Sequence, residues 1–175
     1  GTTPDIRRER LKRLINSKDL VRILESHSAL TGLIIEKINF KKNDKFFEFD
    51  GMWSSSLTDS CLRGKPDNQS VDYSTRLNGL SETLDATTKP IIFDADNGGR
   101  IEHIPFLIKT IDRLGISAVI IEDKIGLKKN SLFENQKDAQ QDTIENFCKK
   151  IQKANDSKLS ESLMIVARIE SLIFN

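Results

Sequence analysis

An α/β fold built on parallel strands is what this sequence predicts, on three observations. Short apolar runs recur at 20–24, 51–53, 91–93, 118–121 and 163–167, each of a length suited to one buried strand. Between them lie segments whose apolar residues fall at a helical period. The runs also end in hydroxyl-bearing or charged residues, as in Asp94-Ala95-Asp96 and Glu122-Asp123-Lys124. Carboxyl ends of parallel strands are where such folds gather their chemistry.

In chain order, residues 5–17 read as an amphipathic helix with Ile6, Leu11, Leu14 and Ile15 on its apolar side. The basic Arg7-Arg8-Glu9-Arg10 stretch reads as its solvated face. The run 20–24 is the first strand, and 29–38 follows as a helix carrying Leu30, Leu33, Ile34 and Ile38 at helical spacing. Residues 41–45 form a polar turn, and Phe46-Phe47-Glu48-Phe49 is either a hairpin edge or a packed insertion. Gly51-Met52-Trp53 leads into the hydroxyl-rich stretch 54–60, and Gly64-Lys65-Pro66-Asp67 is a turn by residue type. A helix over 71–86 places Leu77, Leu80 and Leu84 on one face, and the strand 91–93 runs into the glycine-rich turn Asn97-Gly98-Gly99. The next helix carries Ile104, Leu107, Ile108, Ile111 and Leu114, tolerates Pro105 in its first turn and stops at Gly115. After the fourth strand and a lysine-rich loop, a helix turns Ile144, Phe147, Cys148, Ile151 and Ala154 inward, and the fifth strand delivers Arg168 and Glu170.

Composition narrows the function. With 27 Lys and Arg against 26 Asp and Glu there is no net field for a general nucleic-acid or membrane-surface role. Cys61 and Cys148 lack both CxxC spacing and the density of a disulfide framework, which points to the cytoplasm. No run reaches the roughly 18 apolar residues of a membrane span. The 175 residues suit one domain, 1–175. Five strand-helix units need about 150–180 residues, whereas a closed eight-unit barrel takes roughly 250. The sequence stops just after a strand end with no helix to cover it, so the expectation is a (β/α)8 TIM-barrel type represented by its first five units and incomplete at the C-terminus.

The acids at the strand ends have two readings. Asp94/Asp96 and Glu122/Asp123 are either helix-capping surface acids or oxygen ligands for a divalent cation, with alternation along the strand placing Asp94 and Asp96 on one face. Asp67 after Pro66 is by itself an ordinary turn acid, and Trp53 by itself a core residue. His27 and His103 have no metal-ligand spacing and are read as structural.

Several motifs carry a resemblance when taken together. Trp53 with Ser55 and Leu57, Gly64-Lys65-Pro66-Asp67, Asp94-Ala95-Asp96, Glu122-Asp123-Lys124 followed by Lys128, Asn130 and Ser131, and Val166-Ala167-Arg168 resemble the phosphoenolpyruvate mutases of the isocitrate lyase superfamily. The likeness runs from about residue 20 to the last residue. It implies a Mg2+-dependent interconversion of phosphoenolpyruvate and phosphonopyruvate, the step that makes a carbon-phosphorus bond. Asp67 would be the nucleophile that takes and returns the phosphoryl group. Asp94 would bind Mg2+ directly, with Asp96 and Glu122 acting through water. Trp53, Ser55, Ser56 and Leu57 would line the substrate site, the last three at its carboxylate, and Arg168 would clamp the anion. Lys128, Asn130 and Ser131 lie on what resembles a gating loop that excludes water. The implied partners are the small-molecule substrate and further copies of the full-length chain, as a dimer or tetramer.

The chain departs from the family pattern in Asn97-Gly98-Gly99, which stands where Thr-Gly-Tyr-Gly is common, and in supplying five strands where the family has eight. Lyases of the superfamily carry a Lys-Lys-Cys-Gly-His loop, against Lys128-Lys129-Asn130-Ser131 here. Phosphonopyruvate hydrolase is the closer alternative, and Asn130 favours the mutase. The alternative from another class is an inactive fragment or assembly module, because an open parallel sheet leaves an edge unpaired.

Overall fold

Each apolar run becomes one strand of a single parallel sheet. A computed structural model of the chain describes residues 1–126, 128 and 140–173. The elements are α1 (Pro4–Ser17), β1 (Ile23–Glu25), α2 (Ala29–Lys37), β2 (Asn39–Lys42), β3 (Lys45–Glu48), β4 (Gly51–Ser54), α3 (Ser56–Leu62), α4 (Tyr73–Ala86), β5 (Ile91–Asp94), α5 (Ile104–Leu114), β6 (Ala118–Glu122), β7 (Lys124–Ile125), β8 (Gln140–Gln141), α6 (Ile144–Asp156) and β9 (Met164–Arg168), followed by a 3-10 turn, Ser171–Ile173. The main sheet has the order β1-β4-β5-β6-β9, every neighbouring pair parallel. Crossovers that always step to the same side put their helices on one face of such a sheet. Accordingly Met52, Phe93, Val119 and Ile121 pack with Leu77, Leu80 and Leu84 of α4, Ile104, Ile108 and Ile111 of α5, and Phe147 and Ala154 of α6. By alternation Trp53, Ile92, Ile120 and Glu122 belong to the opposite face. Among the described residues no helix is long and apolar enough to cross a membrane.

Two helices follow their sequence pattern closely. The stripes of α4 and α5 are buried, Pro105 lies in the first turn of α5, and Gly115 closes that helix in the left-handed region at φ 82°. A Cβ on Gly115 would stand 2.6 Å from the Cα of Pro4, so glycine also lets α1 approach.

Elsewhere the helices depart from the pattern. Arg7 and Arg8 of α1, expected in solvent, are buried, while Ile6 and Ile15 are exposed and only Leu11 of that stripe is buried. Arg7 Nη2 donates to Leu84 O at 2.6 Å and also to Thr87 O, at the carboxyl end of α4. Arg8 donates to Asp112 O near the end of α5 and stands 3.2 Å from the Asp112 carboxylate. Cations belong at helix carboxyl ends, where unpaired carbonyls and the dipole attract them, and the apolar pattern carries no sign of that. In α2 the buried residues are Gly32 and Ile35, not Leu30, Leu33, Ile34 and Ile38, which are exposed. Gly32 is the reason: a Cβ there would lie 2.8 Å from Thr83 Cγ2, so the helix packs on α4 through its smallest residue. In α6, Phe147 and Ala154 are buried, whereas Ile144 and Cys148 are exposed and line a cavity of about 810 Å3 beside Ala167 and Ile169. The Cys148 core role is therefore not observed.

The Phe-rich segment is a hairpin insertion. The ladder β2–β3 is antiparallel, and the two-residue turn Asn43-Asp44 has positive φ at both positions, as the twist of a tight hairpin demands. Phe40 and Phe47 stack with centroids 5.1 Å apart.

Candidate active site

The first site residues come from the end of β4. Ser54 closes the strand, Ser55 caps α3 from an extended backbone, and Ser56 and Leu57 open that helix. The hydroxyl-rich stretch 54–60 is thus mostly helical. Ser55 and Ser56 are buried and Leu57 is half-buried. Ser56 Oγ donates to Asp94 Oδ2 at 3.2 Å and accepts from Lys128 Nζ. The hydroxyl assigned to the substrate carboxylate is therefore engaged with an acid and an ammonium. Trp53 is half-buried, and its buried indole Nε1 has no hydrogen-bond partner among the described residues.

The strand β5 supplies the acid pair, by a route other than simple alternation. Asp94 ends the strand, but Asp96 sits in a turn at φ 50°, outside the pleat. The turn curls back so that Asp96 N donates to Asp94 Oδ1 at 2.9 Å. Both carboxylates are buried. Burial raises the Asp96 pKa and the neighbouring Asp94 charge adds to the rise, opposed by Lys128 and Arg76.

Lys128 joins these groups. Its Nζ donates to Asp67 Oδ1 at 3.0 Å, to Asp96 Oδ1 and to Ser56 Oγ. Burial alone would lower the Lys128 pKa, but Asp96 and Asp94 outweigh it, so the ammonium is held charged. The Asp67 side chain is 6% exposed, although it lies on a loop. One lysine thus brings together residues from four places in the sequence: Ser56, Asp67, the Asp94/Asp96 turn and the loop after β7.

A second group lies at the ends of β6 and β9. Glu122 and Arg168 are register partners, with Arg168 Nη1 3.7 Å from Glu122 Oε2. Arg168 also pairs with Glu170, which stands 3.2 Å from Lys124 Nζ. Glu122 is fully buried, and among the described residues its Oε1 has no hydrogen-bond partner. Burial pushes its pKa up to about 7, against the pull of Lys124, Lys128 and Arg168. Asp123 has a structural task, accepting from Gln141 Nε2 at 2.6 Å and from Glu170 N at 2.9 Å. Asn130 and Ser131 lie outside the described residues.

Several residues of the site escape the sequence reading. Arg76 and Asp59 are both buried and form an ion pair, Nε to Oδ2 at 2.8 Å. The available signal was the position of Arg76, four and eight residues before Leu80 and Leu84 on the apolar side of α4. Tyr73 donates to Ala95 O at 2.6 Å, and burial beside Asp96 raises its pKa.

The donor set bears on a cation. Among the described residues no three His, Cys, Asp or Glu side chains form a group that could hold a metal ion. One or two carboxylates with water completing the shell remain a suitable magnesium environment. The unpartnered Glu122 Oε1 is the observation that fits a cation, since a buried acceptor without a donor is costly.

Known proteins resemble this chain in sequence and in fold. The family model for phosphoenolpyruvate phosphomutase matches residues 11–175. A phosphoenolpyruvate phosphomutase of Tetrahymena pyriformis is 34% identical over 166 residues, covering 93% of this chain and 51% of the relative. The crystal structure of phosphoenolpyruvate phosphomutase from Streptomyces platensis subsp. rosaceus superposes with a TM-score of 0.85 at 28% identity, over 98% of this chain and 55% of that one. A phosphonopyruvate hydrolase solved with oxalate and Mg2+ shares the fold at a TM-score of 0.81 and 24% identity, over 98% of this chain and 54% of that one. The chain spans about half the length of the relatives it matches. The match of the family model over nearly the whole sequence, with a relative 34% identical across 93% of it, establishes that this chain belongs to the phosphoenolpyruvate phosphomutase family.

Proposed function

We propose that the protein of which this chain provides the strand-end acids interconverts phosphoenolpyruvate and phosphonopyruvate through a phospho-aspartyl intermediate at Asp67. The observation that carries the reading is Lys128, whose ammonium meets Asp67, Asp96 and Ser56 at once. A carboxylate held by a cation beside buried acids is placed to attack phosphorus. Asp67 Oδ attacks the phosphonate, the carbon-phosphorus bond breaks, and its electron pair remains on the pyruvate enolate. The enolate oxygen then attacks the aspartyl phosphate, forming phosphoenolpyruvate and returning Asp67. Lys128 steadies the Asp67 charge before attack, and Arg168 offers a guanidinium to the substrate anion. Trp53 and Leu57, both half-buried, and Ser55 would flank the pyruvyl portion, while Asn130 and Ser131 would close over the phosphoryl group and exclude water.

Asp94 would hold Mg2+ directly, and Asp96 and Glu122 would hold it through water. Bound there, Mg2+ supplies positive charge that stabilises an enolate. The hydrolase solved with Mg2+ supports this choice of ion. Hydrolysis of phosphonopyruvate is the second reading, favoured by the fold shared with that enzyme. The domain 1–175, assembly of the full-length protein as a homo-oligomer and a cytoplasmic setting complete the proposal. A phosphorus NMR time course on phosphonopyruvate tests it. Phosphoenolpyruvate as product supports the mutase, inorganic phosphate with pyruvate assigns the hydrolase, and an unchanged substrate signal sinks both for this chain.

A further inference from the structure

Arg76 is a buried cation that the proposed chemistry leaves unused. Its guanidinium centre lies 4.4 Å from the centroid of the Phe93 ring, under the acid end of the sheet. Nε donates to Asp59 Oδ2 at 2.8 Å, Nη1 donates to Asp94 O at 2.6 Å, and Nη2 reaches Ser54 O at 3.4 Å. Nη1 also stands 3.6 Å from Asp96 Oδ2. One side chain therefore ties the ends of β4 and β5 to α3 and faces the acid pair from behind. Asp96 Oδ2 is turned toward Arg76, and Oδ1 toward Lys128.

We infer that Arg76 is a positioning residue for the acid pair: by anchoring the Asp94 carbonyl and facing Asp96 Oδ2, it sets where the two carboxylates stand relative to Asp67. The backbone of the left-handed Asp96 turn is tied to β6 by Ala95 N to Ile120 O at 2.9 Å and Glu122 N to Asp96 O at 2.8 Å, so what Arg76 adds is a fixed direction for the carboxylate. A planar guanidinium can hold acceptors on three elements in fixed directions, which an ammonium cannot. Asp59 makes this burial tolerable by cancelling the charge, and Ser54 Oγ, 3.3 Å from Asp59 Oδ2, orients that carboxylate. The roles given to Asp94 and Asp96 rest on the proposed function, but the tether to those acids is a property of this chain alone.

The Arg76/Asp59 pair can be removed as a unit, because exchanging both partners for apolar groups orphans neither of their charges and Asp96 keeps the Lys128 ammonium on its other oxygen. The comparison is wild type, R76K, and the double variant R76M/D59L, each followed by thermal unfolding, by Mn2+ binding from its paramagnetic resonance signal, and by kcat and KM for phosphonopyruvate. Loss of a residue that orients ligands weakens metal binding or activity by about 10–100-fold. The expected result is a double variant that melts close to wild type yet binds Mn2+ about tenfold more weakly, with kcat reduced and KM little changed. R76K, which keeps the charge and loses the fork, shows the same weakening and decides the matter if the double variant does not fold. Mn2+ affinity equal to wild type in either folded variant, or no Mn2+ binding by wild type, overturns the inference. Weakened Mn2+ binding in variants of a wild type that does not turn over phosphonopyruvate upholds the tether and removes the proposed function instead.

Discussion

Glu122→Gln is expected to stabilise the metal-free protein, and to do so only above weakly acidic pH. Glu122 is fully buried, has one oxygen without a partner among the described residues, and has a pKa of about 7 against a reference of 4.5. At 1.36 kcal/mol per pKa unit, that difference of roughly 2.5 units is worth about 3 kcal/mol. Below pH 4.5 the folded and unfolded chains both carry the proton, and the group costs nothing. Between 4.5 and about 7 the folded chain keeps a proton that the unfolded chain has released, so stability falls as pH rises. Above that range the full cost of a buried carboxylate is present. Glutamine has the shape of the protonated acid and never ionises. Urea unfolding in the presence of a chelator should therefore show E122Q matching wild type near pH 4 and exceeding it by about 3 kcal/mol near pH 8. Saturating Mg2+ should shrink the difference at pH 8, because a nearby cation compensates the charge. A difference between the two proteins that is the same at both pH values would refute the reasoning.

Three further outcomes follow from particular contacts. Gly115→Ala combines a left-handed backbone with a Cβ 2.6 Å from Pro4, so urea unfolding should show a loss of at least about 2 kcal/mol, and an unchanged midpoint would mean that α1 does not dock as described. Arg8→Met strips the cation from Asp112, whose side chain is 1% exposed, and should cost about 3 kcal/mol in thermal unfolding at neutral pH; a loss under half of that would count against a buried pair. Asp67→Asn should leave the circular dichroism spectrum intact while lowering mutase turnover by about 10^3-fold or more in the phosphorus NMR assay, and retained turnover would remove Asp67 as nucleophile.

The legibility of the sequence varied with how many neighbours an element has. Helices α4 and α5 pack against the middle of the sheet, and their apolar periods name their buried faces correctly. In α2 the four large apolar residues are exposed, because its close approach to α4 runs through Gly32, which a hydrophobic pattern does not register. Ile144 and Cys148 of α6 depart from the apolar pattern because they line the cavity beside β9, the edge strand of the sheet. The candidate site was legible where a motif sits at a strand end, at Asp94, Glu122 and Arg168. It was not legible at Arg76, Asp59 and Tyr73, whose partners lie on other elements. Periodicity also misplaced Arg7 and Arg8, since it records which residues are apolar and cannot tell a solvated cation from one that caps a neighbouring helix.

The sequence by itself determined the α/β class, the five strands, the stop of α5 at Gly115 and the acids at the strand ends, because these depend on local periods, turn chemistry and short motifs. Only the tertiary structure decided what those acids meet. Lys128 is 61 residues from Asp67 and 72 from Ser56, and Arg76 is 17 and 18 residues from Asp59 and Asp94. Attraction between buried charges falls with distance in space and is blind to distance along the chain. The site thus becomes one network only once parallel strands with helical crossovers have set their carboxyl ends side by side.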